Sequence, residues 1–190
     1  MINKVHIIGA SGSGKSTLAK EIATLLGTTA TDLDYVAYEG GMGGWKRSPH
    51  NIVRRLQDID SIIKKDVWVT EGIYLWWTQK LFENADLVIW LDVPYYKVAW
   101  RVIKRHYQRS KVGDNRYKGI IRLIVFLGWI LRYYIYPFDK EAVYPYETVY
   151  PSRKETEKAL TEIHYFRCKS DKDIDLAKDY IRRKNNETKS

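Results

Sequence analysis

The nine residues from Gly9 to Thr17, GASGSGKST, constrain this chain more than any other stretch. They follow Val5–Ile8, a short apolar run with β-branched residues that has the character of a buried strand. After Gly14 the period changes: Leu18, Ile22, Leu25 and Leu26 recur at helical spacing, with Lys20 and Glu21 off that face. Gly9 to Ser16 fits G-x-x-x-x-G-K-[ST] without a mismatch. Glycines at these places let main-chain N–H groups turn inward on a phosphate. The helix that follows adds free N–H groups and the positive end of its dipole. The pattern predicts that Gly9, Ser11, Gly12, Ser13, Gly14, Lys15, Ser16 and Thr17 cradle nucleotide phosphates. Lys15 then neutralises the transferring phosphoryl group, and Ser16 offers an oxygen to Mg²⁺.

The rest of the chain repeats the strand-then-helix rhythm. Thr28–Asp34 predicts a second strand ending in two acids, after Gly27 at a helix C-terminus. Val67–Gly72 predicts a third strand, Ala85–Pro94 a fourth that is apolar on both faces, and Ile163–Cys168 a fifth. Between them, Tyr38–Arg47 is a glycine-rich loop. Ser48-Pro49 predicts an N-cap and first helical residue for the face Ile52, Leu56, Ile59 and Ile63. Val98, Val102 and Ile103 mark another helix. Ser152 to Glu155 reads as a capping box, and Ser170 with Asp173 starts a last helix through Ile174, Ala177 and Ile181. Strands alternating with helices predict a parallel sheet covered on both faces.

Composition narrows the partners. The 190 residues are 45% hydrophobic, enough for a packed core. A lone cysteine, Cys168, excludes an internal disulfide, and the first residues carry no export-signal pattern, so a cytoplasmic setting is expected. A net charge of +9 favours anionic partners, and much of the excess lies between Lys97 and Arg132, with a second cluster at Arg182, Arg183 and Lys184.

Among chains with this loop, a GTPase needs N/T-K-x-D and D-x-x-G, and an ABC-type protein needs L-S-G-G-Q; none is present. The small kinases remain. LDVPYYKVAWRVIKRH resembles the segment of adenylate-kinase-like enzymes in which a strand ends in an acid–x–Pro turn and the next helix carries two arginines, here Arg101 and Arg105. The resemblance implies that this pair opens the lid, one arginine meeting the adenine and the other the phosphates. More narrowly, Leu33–Trp45, Trp68–Tyr74 and Phe82–Pro94 resemble topology-modulation (FlaR-like) P-loop proteins. Together these imply a three-layer α/β P-loop kinase with ATP and Mg²⁺, five parallel strands in order 2-3-1-4-5, and a helical lid insertion over about 106–152. The whole chain, 1–190, is expected to form one such domain, with an acceptor-side segment over about 38–64.

Further residues are candidates for the chemistry. Asp32 and Asp34, at the expected end of the second strand, resemble the D-x-D of shikimate-kinase-like enzymes and suit metal binding or proton abstraction. Glu71, at the end of the third strand, suits the same two roles; Asp34 or Glu71 orients the acceptor. Asp92 is a weaker candidate that bonds backbone near Pro94. Arg101, Arg105 and Arg109 recur at i, i+4 and i+8, and such a face of like charge suggests an anion. Trp45, Lys46, Arg47, Arg54 and Arg55 lie where small kinases bind their acceptor. His6, His50, His106 and His164 show no metal spacing and are expected to be structural.

Ile120–Leu131 has ten apolar residues in twelve and one arginine, too short for a transmembrane helix. It is expected to pack on the core, with a homodimer contact next and a membrane surface third. Arg122 is expected to point to solvent or a phosphate, and Gly128 to allow close helix approach or a bend. The function expected is ATP-dependent phosphoryl transfer to a small acceptor. The alternative is a nucleotide-dependent regulatory protein that binds nucleic acid, although no helix-turn-helix, zinc-finger or RNA-binding signature is present.

Overall fold

The computed structural model describes residues 1–39, 51–113, 115, 119–136 and 151–187. Five parallel strands form one sheet: β1 (Lys4–Gly9), β2 (Ala30–Asp32), β3 (Trp68–Gly72), β4 (Leu87–Leu91) and β5 (Tyr165–Cys168). Their spatial order is β2-β3-β1-β4-β5, as expected for a P-loop kinase fold. The helices are α1 (Lys15–Leu25), α2 (Leu33–Ala37), α3 (Ile52–Ile63), α4 (Gln79–Asn84), α5 (Tyr95–Lys111), α6 (Ile120–Ile135), α7 (Arg153–Ala159) and α8 (Asp171–Glu187).

Strand periodicity sorts the core onto the two faces. Val5 and Ile7 of β1, with Leu87, Ile89 and Leu91 of β4, pack with Ile22 of α1, Val98 and Val102 of α5 and Ile181 of α8. On the opposite face Ile8, Val88 and Trp90 meet Phe82 of α4 and Leu160 after α7. Trp68 of β3 joins Ile59 of α3, Leu81 of α4 and Leu33 of α2 in a third cluster. β4 is buried along its whole length, as a strand with apolar residues on both faces requires. His6 is buried among these residues; its Nδ1 pairs with Thr70 Oγ1 at 2.8 Å and its ring meets Phe82 edge-on.

Several expectations are corrected. β2 stops at Asp32, because Asp32 Oδ1 accepts from the Asp34 N–H and caps α2; Asp34 therefore lies in the first turn of a helix rather than in a strand. α3 is capped by Asn51, whose side chain accepts from the Val53 and Arg54 N–H groups, whereas Ser48 and Pro49 lie outside the described residues. α4 has no counterpart among the helices expected from sequence; its six residues are too few to show a helical period. Leu25, Leu56 and Ile103 turn outward. The Ser152–Glu155 capping box and the Ser170–Asp173 start of α8 are both present. Gly27 takes φ +68° directly after the α1 C-cap.

α6 continues to Ile135 without a break at Gly128, and among the described residues no neighbouring element lies within 4 Å of where a Gly128 Cβ would sit, so the close approach expected there is not made by them. Its Ile130 joins the α1 side of the core and its Tyr133 the α3 side. The Tyr133 hydroxyl accepts from Trp90 Nε1 at 3.1 Å, and the Tyr134 hydroxyl donates to the Val93 carbonyl at 2.7 Å. α6 is thus tied to the carboxyl end of β4, and only one of its sides is covered.

Candidate active site

The loop after β1 turns back where the Ser13 N–H donates to the Ala10 carbonyl at 3.1 Å. Gly12 (φ +85°) and Gly14 (φ +105°) hold left-handed conformations that a side chain would strain. At Gly12 there is also no room: a Cβ would come 2.7 Å from Val102 Cγ2. The loop is therefore seated directly on α5. Gly14 is the N-cap of α1, so that helix begins without a side-chain cap and without an acid in its first turn. Its first N–H groups stay open to an anion, the arrangement a nucleotide phosphate requires.

Lys15 is buried and its Nζ donates to the Ala10 carbonyl at 3.0 Å. Ser16 Oγ donates to Glu71 Oε1 at 2.5 Å. Glu71 pairs in register with Asp32 across β3 and β2, and it is buried at the tip of its strand. Burial pushes its carboxyl above the usual range, against the pull of Lys15 and the Ser16 hydrogen bond. Asp34 is half-buried and accepts from the Tyr74 hydroxyl at 2.8 Å. Burial, reinforced by the neighbouring Asp32 charge, pushes it up to about 6; Tyr74 and Lys15 restrain the rise. The carboxylates of Asp34 and Glu71, the Lys15 ammonium and the Ser16 hydroxyl thus form one electrostatically connected group at the carboxyl ends of β1, β2 and β3. No three His, Cys, Asp or Glu side chains among the described residues form a ready metal cage. The donors present are hard oxygens, which suit Mg²⁺ held largely by phosphate and water.

Arg101 also reaches the loop. Its Nη1 donates to the Ser13 carbonyl at 2.8 Å, and its Nη2 meets Asp171 Oδ1 at 3.1 Å. The premise of an uncompensated basic face therefore fails at Arg101. Arg105 and Arg109 are exposed on the following turns of α5. Asp92 has a larger task than bonding backbone near Pro94. It receives Arg153 through Nε at 2.6 Å and Nη2 at 2.7 Å, and Arg167 through Nε at 2.9 Å, tying α7 and β5 to the end of β4. Spacing gave no hint of this, because the partners lie 61 and 75 residues away.

On the acceptor side, Trp45, Lys46, Arg47 and His50 lie outside the described residues, and Arg54 is exposed. Arg55 is only 3% exposed, and its guanidinium lies 6.0 Å from the Tyr38 ring centre and 5.7 Å from that of Trp77. Its Nε has no hydrogen-bond partner among the described residues. Trp77 in turn packs at 4.8 Å on Tyr74, the residue that holds Asp34. The sequence places Arg55 beside Arg54 with nothing to separate them; burial does.

Residues 5–122 match the AAA domain family. Over 137 residues the chain is 30% identical to the uncharacterized protein YqaC of Bacillus subtilis, covering 70% of this chain and 74% of that protein. A protein of Thermococcus gammatolerans named "Putative adenylate kinase" is 26% identical over 121 residues, 64% of this chain and 67% of that one. Among solved structures, shikimate kinase from Acinetobacter baumannii, in complex with shikimate, superposes with a TM-score of 0.52 at 15% identity, covering 98% of this chain and 95% of that one; this likeness concerns the fold. These matches support the P-loop kinase resemblance and leave the narrower topology-modulation one as an expectation. With a phosphate-type loop between β1 and α1, strands in the order 2-3-1-4-5 and a family match over most of the chain, this protein belongs to the AAA domain family and has the fold of a P-loop kinase.

Proposed function

We propose that this protein transfers the γ-phosphoryl group of ATP to a small hydroxyl-bearing acceptor that carries an anionic group. The observation that carries the reading is Asp34: a half-buried carboxylate raised to about 6, held by Tyr74 and coupled to the loop lysine. In this reading residues 1–190 act as one kinase unit, with the acceptor side over about 38–64 and a lid over about 106–152.

Lys15 and the open N-terminus of α1 would hold the phosphates, and Ser16 with Glu71 would hold Mg²⁺ through oxygen. The ion, when bound, spreads and neutralises the charge of the transferring group. Arg101 fixes the loop through the Ser13 carbonyl and stands, with Arg105, on the helix that leads into the proposed lid. Asp34 takes the acceptor's hydroxyl proton. Each carboxylate has one oxygen engaged, Glu71 by Ser16 and Asp34 by Tyr74, and with Glu71 assigned to the ion alongside Ser16, Asp34 is left to take the proton. A carboxylate near pH 6 also combines availability with basicity close to neutral pH. Arg55 supplies the anion's counter-charge: a buried guanidinium with aromatic rings as partners gains most from a carboxylate or phosphate.

A screen of hydroxyl-bearing metabolites with ADP release as readout tests the reading. An anionic compound is expected to stimulate release, and Lys15→Ala to abolish it. Arg55→Lys is expected to raise KM for the acceptor while kcat changes less, since a point charge replaces a planar fork. If no small compound stimulates release and duplex DNA does, the regulatory alternative takes its place.

A further inference from the structure

α6 is apolar along nearly its whole length, yet it buries one side. Ile120, Ile121, Ile124, Val125, Trp129 and Ile135 are exposed, Ile121 to 75% and Ile135 to 67%. α5 packs beside it, the Tyr95 hydroxyl donating to the Leu127 carbonyl at 3.3 Å, and adds exposed Tyr96, Trp100 and Tyr107. An apolar patch of this extent on a water-facing surface marks a contact site.

Within the two helices the charged side chains have one sign. α5 contributes Lys104, Arg109 and Lys111, α6 contributes Arg122 and Arg132, and neither helix contains an aspartate or glutamate. Lys111 lies over the Tyr107 ring at 4.6 Å and Arg132 over the Tyr136 ring at 4.2 Å. Both cations are exposed, so an external anion can reach them.

We propose that the α5–α6 surface docks on an anionic phospholipid bilayer. α6 lies in the interfacial plane with its isoleucines in the acyl boundary, the tryptophan and tyrosine rings at headgroup depth, and the lysines and arginines on lipid phosphates. No helix among the described residues is long and apolar enough to cross a membrane, so α6 lies on the bilayer rather than through it. Charge selects lipid over a second copy of the chain. A twofold contact brings the same patch to itself, and here it would set the cations of α5 and α6 against their own copies with no carboxylate from either helix to offset them. A lipid surface offers the apolar layer and the anions together.

Co-sedimentation of the full chain with extruded vesicles tests this, comparing phosphatidylcholine alone with the same lipid containing roughly 30% phosphatidylglycerol. The wild-type chain is expected to pellet with the anionic vesicles and to remain in solution with the neutral ones. The double substitution Ile121→Glu with Ile124→Glu is expected to lower partitioning about tenfold or more, since it removes buried apolar area and adds repelled charge. Lys104→Glu with Lys111→Glu is expected to remove the preference for anionic lipid. All four positions are exposed, and an unchanged melting curve by circular dichroism verifies that each variant is folded. The proposal is overturned by absence of pelleting with anionic vesicles, or by undiminished pelleting of the folded isoleucine variant. It is equally overturned by a dimer that the isoleucine variant dissociates, or by binding to duplex DNA without binding to vesicles.

Discussion

Asp34 illustrates the conflict between stability and chemistry within one residue. Its carboxyl titrates near 6 in the folded chain, against an ordinary value of 3.8, because burial and Asp32 disfavour the charge. Between about pH 4 and pH 6 the folded state holds a proton that the unfolded state has released, so stability falls as pH rises, and the full deficit is present at neutral pH. Asp34→Asn keeps the shape and the acceptor for the Tyr74 hydroxyl but removes the charge. It is expected to raise stability at pH 7 by up to about 2 kcal/mol and to leave stability below pH 4 unchanged, as measured by urea unfolding across pH. In the proposed mechanism the same variant loses turnover by about a hundredfold or more while ATP affinity changes little.

At the scale of elements, the carboxyl end of β4 is where separate parts of the chain are joined. The Asp92 side chain is 1% exposed and receives guanidinium groups from α7 and β5. Arg167 also pairs with Glu157 at 2.6 Å and lies 4.3 Å over the Trp90 ring. Removing the shared carboxylate leaves two guanidinium groups facing each other beside a buried strand end. Asp92→Asn is therefore expected to cost about 2–4 kcal/mol, the partial exposure of both arginines softening the loss. A lowered urea midpoint with an unchanged m-value verifies it. Val102 shows a different junction: the residue that fills the space beside Gly12 comes from α5, so the phosphate loop depends on a helix much later in the chain for its seat.

For the whole molecule, the buried His6 in the central strand sets an acid limit. Desolvation drives its pKa down to about 3, against an ordinary value of 6.5. The unfolded chain takes up a proton as pH falls through 6.5 while the folded chain refuses it until about 3, so this stability is complete above 6.5 and is lost as pH falls. The contribution to the slope is about 1.4 kcal/mol per pH unit over that window. Asp34 works in the opposite sense between about 4 and 6, so Asp34→Asn is expected to steepen the acid limb; thermal unfolding by calorimetry from pH 8 to pH 4 measures both.

The amino-acid sequence determined whatever depends on neighbours along the chain. The loop from Gly9 to Thr17, the strand runs, the Ser152–Glu155 capping box and the start of α8 are local patterns with local causes: positive φ, side-chain period and cap hydrogen bonds. The sheet order could be anticipated through family resemblance, since nothing in the spacing dictates which strands lie side by side. Tertiary structure decided the rest, because the energies involved come from burial and from partners distant in sequence. Asp32 became a cap and Asp34 a buried acid only once α2 turned away from β2. Arg55 parted from Arg54 only when α3 docked against Trp77 and Tyr38. Asp92 found Arg153 and Arg167 only when α7 and β5 closed on β4. The one-sided burial of α6 has the same origin: its sequence is apolar nearly all round, and the core it meets is wide enough to cover one face.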